Sequence, residues 1–113
     1  DLIRRGLTRI HETYQEDLAQ EDLAHELGVT HWYLSHLFHS HLKMGYRTYV
    51  NALRVEQAKR LLVSTDMPIT EIVYQCGFNS QSCFNRAFRG WFHTTPKEMR
   101  KQEKRETENP KNF

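Results

Sequence analysis

Apolar side chains recur along this chain in steps of three and four, the interval that lines one face of an α-helix. Leu2, Ile3, Leu7, Ile10 and Tyr14 keep that step and predict an amphipathic helix over residues 2–15. Leu18, Leu23, Ala24 and Leu27 predict a short second helix that stops at Gly28. Thr30 is placed to cap a third, with Leu34, Leu37, Phe38 and His41 turned inward. Tyr46, Tyr49, Val50, Leu53, Ala58, Leu61 and Leu62 describe a long helix over 46–63, roughly 25 Å at ~1.5 Å per residue. Pro68 opens a short helix whose apolar stripe is Ile69, Ile72, Val73 and Cys76, before Gly77. Asn79 or Ser80 caps the next, with Phe84, Ala87, Phe88 and Trp91 inward. Thr95-Pro96-Lys97-Glu98 reads as a capping box with proline at the first helical position, so a last helix starts at Pro96. Residues 102–113 are polar, mixed in charge and expected to be frayed. The predicted fold class is therefore all-α, with about seven helices.

Laid side by side, these pieces repeat. Leu23-Ala24 is matched by Ile72-Val73 and Gly28-Val29 by Gly77-Phe78, each 49 residues on. Beyond the turn the offset becomes 50, pairing Leu34 with Phe84, Leu37 with Ala87 and Phe38 with Phe88. Each copy is a short helix, a glycine turn and a longer helix. Ala24, four residues before Gly28, lets two helices cross closely, and Gly28 supplies the positive φ that a short turn demands. The spacing predicts two helix-turn-helix units, over about 19–42 and 68–92, joined by the helix at 46–63.

Composition narrows the choice of partner. Apolar residues make up 38% of the 113 positions, enough for a small core, and mean hydropathy is −0.76. No run of 18 apolar residues is present and no signal peptide opens the chain, so no membrane association is expected and a cytoplasmic setting is. The first residue is Asp1 rather than Met, which raises the expectation of a piece cut from a longer protein. The net charge of +2 is unevenly spread: −4 over residues 1–29, +5 over 30–100 and +1 over 101–113. That asymmetry favours an anionic partner for the middle of the chain. Cys76 and Cys83 have apolar neighbours and read as two buried free thiols in a reducing compartment. Five of the seven histidines fall between His25 and His41, and His36 and His39 share a helix face, yet no cysteine or acidic residue completes a tetrahedral set. No metal and no cofactor is expected. With no nucleophile–base arrangement, HExxH or glycine-rich phosphate cradle, the chain does not read as an enzyme.

At this point the sequence resembles the AraC/XylS-type bacterial transcription regulators, over residues 1–101. Gly77-Phe78-Asn79-Ser80-Gln81-Ser82-Cys83-Phe84-Asn85-Arg86-Ala87-Phe88, followed by Thr95-Pro96, is similar to that family's second helix-turn-helix signature. Leu53-Arg54-Val55 with Ala58-Lys59-Arg60-Leu61-Leu62 resembles its connecting helix, and Tyr33-Leu34-Ser35-His36-Leu37-Phe38 its first recognition helix. The resemblance implies a DNA-binding domain that regulates transcription, as an activator or a repressor, with two recognition helices in successive major-groove segments of double-stranded DNA. A stiff connector of ~25 Å suits the groove repeat of ~34 Å. It further implies RNA polymerase as a partner and an N-terminal effector or dimerisation domain outside this chain. By position, the family's base contacts fall on Trp32, Ser35 and His36 and on Gln81, Ser82, Asn85 and Arg86. Arginine can give guanine a bidentate pair, and glutamine or asparagine can do so for adenine.

Phosphate contacts are expected from the helix starts at Thr30, Ser80 and Thr95 and from His31, His39, Arg47, Arg89, Lys97 and Arg100. Arg54, Lys59 and Arg60 lie mid-helix, where an ion pair such as Glu56 with Arg60 competes with any DNA contact. Three departures from the family pattern stand out. Lys43 and His93 occupy positions where relatives tend to carry a helix-stopping glycine, so each cap is strained unless Gly45 takes over in the first copy. His36 stands where many relatives have arginine, and Gly90 interrupts the second recognition helix. The competing reading is a helical protein-interaction module that docks through Trp32 and its neighbours.

Overall fold

The computed structural model describes residues 1–108, among which seven helices and no strands occur: α1 (Leu2–Thr13), α2 (Gln20–Leu27), α3 (His31–Leu42), α4 (Tyr46–Ser64), α5 (Ile69–Gln75), α6 (Gln81–Phe92) and α7 (Pro96–Glu108). They fall into two compact units whose boundary lies between Leu53 and Arg54, inside α4.

In the first unit, Ile10, Leu23, Ala24, Leu34, Phe38 and Val50 are buried together, with Leu7, Tyr14, Leu18 and Tyr49 packed around them. Gly6 is buried on α1, and a Cβ there would stand 3.4 Å from Leu27 Cδ1, so its small size suits the close passage of α2. Arg9 joins the same two helices by donating from Nε to Glu26 Oε1 at 2.7 Å. That hydrogen bond, with the charge behind it, holds the Glu26 carboxyl below its ordinary range and raises Arg9. Burial pushes the Tyr49 hydroxyl up, and the same hydroxyl meets His11 Nε2 at 2.8 Å.

In the second unit, Val55, Ala58, Leu62, Ile72, Val73, Cys76, Phe78, Phe84 and Phe88 form the core. Phe78, Phe84, Phe88 and Phe92 make a file of rings with successive centroids 5.3, 5.5 and 4.8 Å apart. Phe84 and Phe88 are fully buried, so truncating either to alanine removes about 3–5 kcal/mol of stability.

The two glycine turns close in the same way. After α2, Gly28 takes φ 74°, while its N–H bonds His25 O and the Val29 N–H bonds Ala24 O. After α5, Gly77 takes φ 105°, with its N–H on Tyr74 O and the Phe78 N–H on Val73 O. Both sets satisfy the last carbonyls of a short helix and turn the chain into the longer one.

Several expectations need correction. His41 and Trp91 are exposed rather than inward. The helical step does aim both at the core, but they sit in the last turn, where Leu42 and Phe92 take the inward place. Cys83 is exposed while Cys76 is buried. Cys83 lies one residue before Phe84 and is thus rotated ~100° from the core direction. Gly45 does not relieve the first cap, because Lys43 itself adopts φ 60° and His93 φ 58°. α1 stops at Thr13, whose buried hydroxyl donates to Arg9 O. α7 runs to Glu108, well into the stretch expected to fray; residues 109–113 lie outside the described part.

Candidate nucleic-acid interface

α3 and α6 are twins in construction. Both have 12 residues, and their boundaries stand 50 positions apart. Each begins on a hydroxyl cap: Thr30 Oγ1 accepts from the Tyr33 N–H at 3.1 Å, and Ser80 Oγ from the Cys83 N–H at 3.2 Å. Each ends on a left-handed non-glycine residue whose N–H returns to the carbonyl four residues back, Lys43 to His39 and His93 to Arg89. Two residues anchor each helix, Leu34 with Phe38 and Phe84 with Phe88, all fully buried. Leu37 and Ala87 are half-buried beside them.

This burial leaves one polar stripe per helix. On α3, Trp32 is 75% exposed, His36 and His39 are exposed, and Ser35 and His31 are half-buried. The His31 and Trp32 rings lie 4.5 Å apart, which limits the freedom of the indole. On α6, Gln81, Ser82, Asn85, Arg86 and Arg89 are all exposed. Position for position, Trp32 answers Ser82, His36 answers Arg86 and His39 answers Arg89. Tyr33, 48% exposed, and its counterpart Cys83 also reach solvent from the first turns. Neither is among the contact residues expected from the sequence, although both stand one residue ahead of the anchors Leu34 and Phe84.

Charge is sorted along the same lines. Neither α3 nor α6 carries an acidic residue, whereas each of α1, α2, α4, α5 and α7 carries at least one. Acid-free helices with cationic or protonatable outer faces suit a polyanion. Several other cations have internal work. Arg54 lies 5.8 Å from the Phe78 ring centroid, and Lys59 lies 5.3 Å from that of Phe92. Arg60 donates to Gln57 Oε1 at 3.1 Å rather than pairing with Glu56. Arg100, expected at a phosphate, is instead half-buried: Nε donates to Leu62 O at 3.1 Å and Nη2 to Thr65 O at 3.2 Å. It thereby caps the end of α4, where free carbonyls attract a cation. Arg47, Arg86, Arg89 and Lys97 stay exposed. The third hydroxyl cap, Thr95, accepts the Glu98 N–H at 3.1 Å and starts α7.

A family model described as a helix-turn-helix domain matches residues 23–102, most of the chain. A solved regulator from Chromobacterium violaceum, described as an AraC-type DNA-binding-domain protein, superimposes with a TM-score of 0.82 at 30% identity, covering 90% of this chain and 91% of that one. The chain belongs to the AraC-type family. The C-terminal domain of AraT, a response regulator from Geobacillus stearothermophilus, gives a TM-score of 0.85 at 30% identity, over 89% of this chain and 84% of that one. An uncharacterised HTH-type transcriptional regulator of Staphylococcus aureus is 36% identical over 96% of this AraC-type chain. The chain spans about 15% of that relative's length. Among the described residues, no helix is long and apolar enough to cross a membrane.

Proposed function

We propose that the chain binds double-stranded DNA in a sequence-specific manner, as the DNA-binding domain of a transcription regulator. α3 and α6 act as recognition helices in adjacent major-groove segments. The observation that carries this reading is the matched pair of acid-free helices, each clamped by two buried apolar residues so that its opposite stripe faces outward. In the second half, Arg86 gives a bidentate pair to guanine, Asn85 or Gln81 pairs with adenine, and Ser82 adds a single hydrogen bond; each good bidentate pair is worth ~1–3 kcal/mol of discrimination. In the first half, Trp32 packs on a thymine methyl or a sugar edge, His36 reaches a base, and the recessed Ser35 supports them. Thr30, Ser80 and Thr95 present helix-start amides to phosphates, joined by His31, His39, Arg47, Arg89 and Lys97. Arg100 is left out of this set because its guanidinium is held by α4.

A longer parent regulator that carries an effector or dimerisation domain, contacts RNA polymerase and works in the cytoplasm belongs to the same proposal. Support comes from the Staphylococcus aureus relative, a transcriptional regulator far longer than the part this chain matches. The test is the salt dependence of binding to duplexes selected from a random library. The logarithm of the binding constant should fall linearly with that of salt concentration, by ~0.9 per phosphate contact. Arg86→Ala should weaken selected-site binding by roughly 5- to 150-fold, equivalent to ~1–3 kcal/mol. A salt-insensitive association would favour the protein-docking alternative, and an unchanged curve for Arg86→Ala would remove α6 from the interface.

A further inference from the structure

The equivalence of α3 and α6 contains an asymmetry of charge. Where α6 presents Arg86 and Arg89, α3 presents His36 and His39 at the same helical angles. Guanidinium groups stay charged at every physiological pH, whereas an imidazole gains or loses its charge within that range. We infer that the first recognition helix is a proton-dependent half of the DNA interface, which holds its half-site tightly only when His36 and His39 are protonated. This rests on the DNA-binding reading above and adds a regulation to it.

The surroundings leave the two imidazoles available. Both are exposed, and among the described residues neither is hydrogen-bonded or ion-paired. His39 sits at the α3–α4 turn, where a Cβ on Gly45 would come within 3.6 Å of its Nε2. The charged groups on the elements packed against α3 do not substitute for these two. On α1, Arg9 is paired with Glu26 of α2 and His11 is bonded to Tyr49, while Arg4, Arg5 and Glu12 are exposed. On α2, Glu21, Asp22 and His25 are exposed, and α4 brings Arg47. Within α3 and its cap, His31 lies against Trp32, His41 is exposed, and Lys43 Nζ donates to Ser40 O at 3.2 Å. A phosphate or an acceptor base edge beside His36 or His39 favours the protonated ring. DNA binding therefore takes up protons, and affinity rises as pH falls.

Binding of the chain to its library-selected duplex should be measured at fixed ionic strength between about pH 6 and about pH 8. The expected result is on the order of tenfold tighter binding at the acidic end, with a salt slope steeper by about 1 to 2. Parallel selections at the two pH values should yield the same second half-site but a better-defined first half-site at low pH. The double variant His36→Arg with His39→Arg should bind at high pH as tightly as the parent does at low pH and lose most of the dependence, keeping only the share of His31. His36→Gln with His39→Gln should lose as much of the dependence, at the weak level. Binding indifferent to pH, or a dependence that survives undiminished in both double variants, would overturn this inference while leaving DNA binding intact. No selected duplex at either pH would sink the DNA reading itself.

Discussion

Cys76 and Cys83 show how much a single helical step decides. Cys76 has no exposed surface, and burial pushes its thiol up to about 11, so almost none is thiolate near neutrality. Cys83 is exposed at the first turn of α6. A disulfide reagent at neutral pH should modify one thiol rapidly in the native chain and both only after unfolding. Mass mapping should place the fast label on Cys83. Two fast thiols, or a fast label on Cys76, would contradict the packing of the second unit. Apolar neighbours in the sequence suggested burial for both, since Cys83 precedes Phe84. What those neighbours could not convey was direction, because adjacent helical residues point ~100° apart.

At the scale of elements, the αL residues that end α3 and α6 are the clearest local conflict. A side chain at φ near 60° meets its own carbonyl, and glycine would avoid that contact. Lys43→Gly and His93→Gly should each stabilise the chain by about 0.5–1 kcal/mol after glycine's greater freedom in the unfolded state is counted. The gain at position 43 should be the smaller, because Lys43 Nζ also donates to Ser40 O. Urea or thermal unfolding checks this, and a loss of stability at either site would show that the lysine or histidine makes a contact worth more than the strain. The same elements show what was legible beforehand. Periodicity located the helices to within a few residues, and the glycine turns and hydroxyl caps followed from residue type, because backbone chemistry at helix ends is local. His41 and Trp91 escaped because periodicity says nothing of where a core ends. Arg100 escaped because its carbonyl partners at Leu62 and Thr65 lie more than 30 positions away in sequence.

For the whole molecule, the sequence repeat becomes two separately packed cores, each presenting one acid-free helix on a Thr or Ser cap. Duplication of a reading head accounts for features that a single hairpin would leave unexplained: the constant offset of 50 through α3 and α6, the matching αL ends and the absence of acidic residues from those two helices. It also separates roles, with Arg54, Lys59, Arg60 and Arg100 engaged inside the second unit while Arg86 and Arg89 stay outside. The most direct measurement is selection of duplexes by the intact chain from a random library, followed by sequencing. Two short conserved segments centred about 10 base pairs apart, one helical turn, are expected, with guanine prominent in the segment that Arg86→Ala relaxes. Enrichment of one unbroken segment, or of none, would contradict the duplicated reading head.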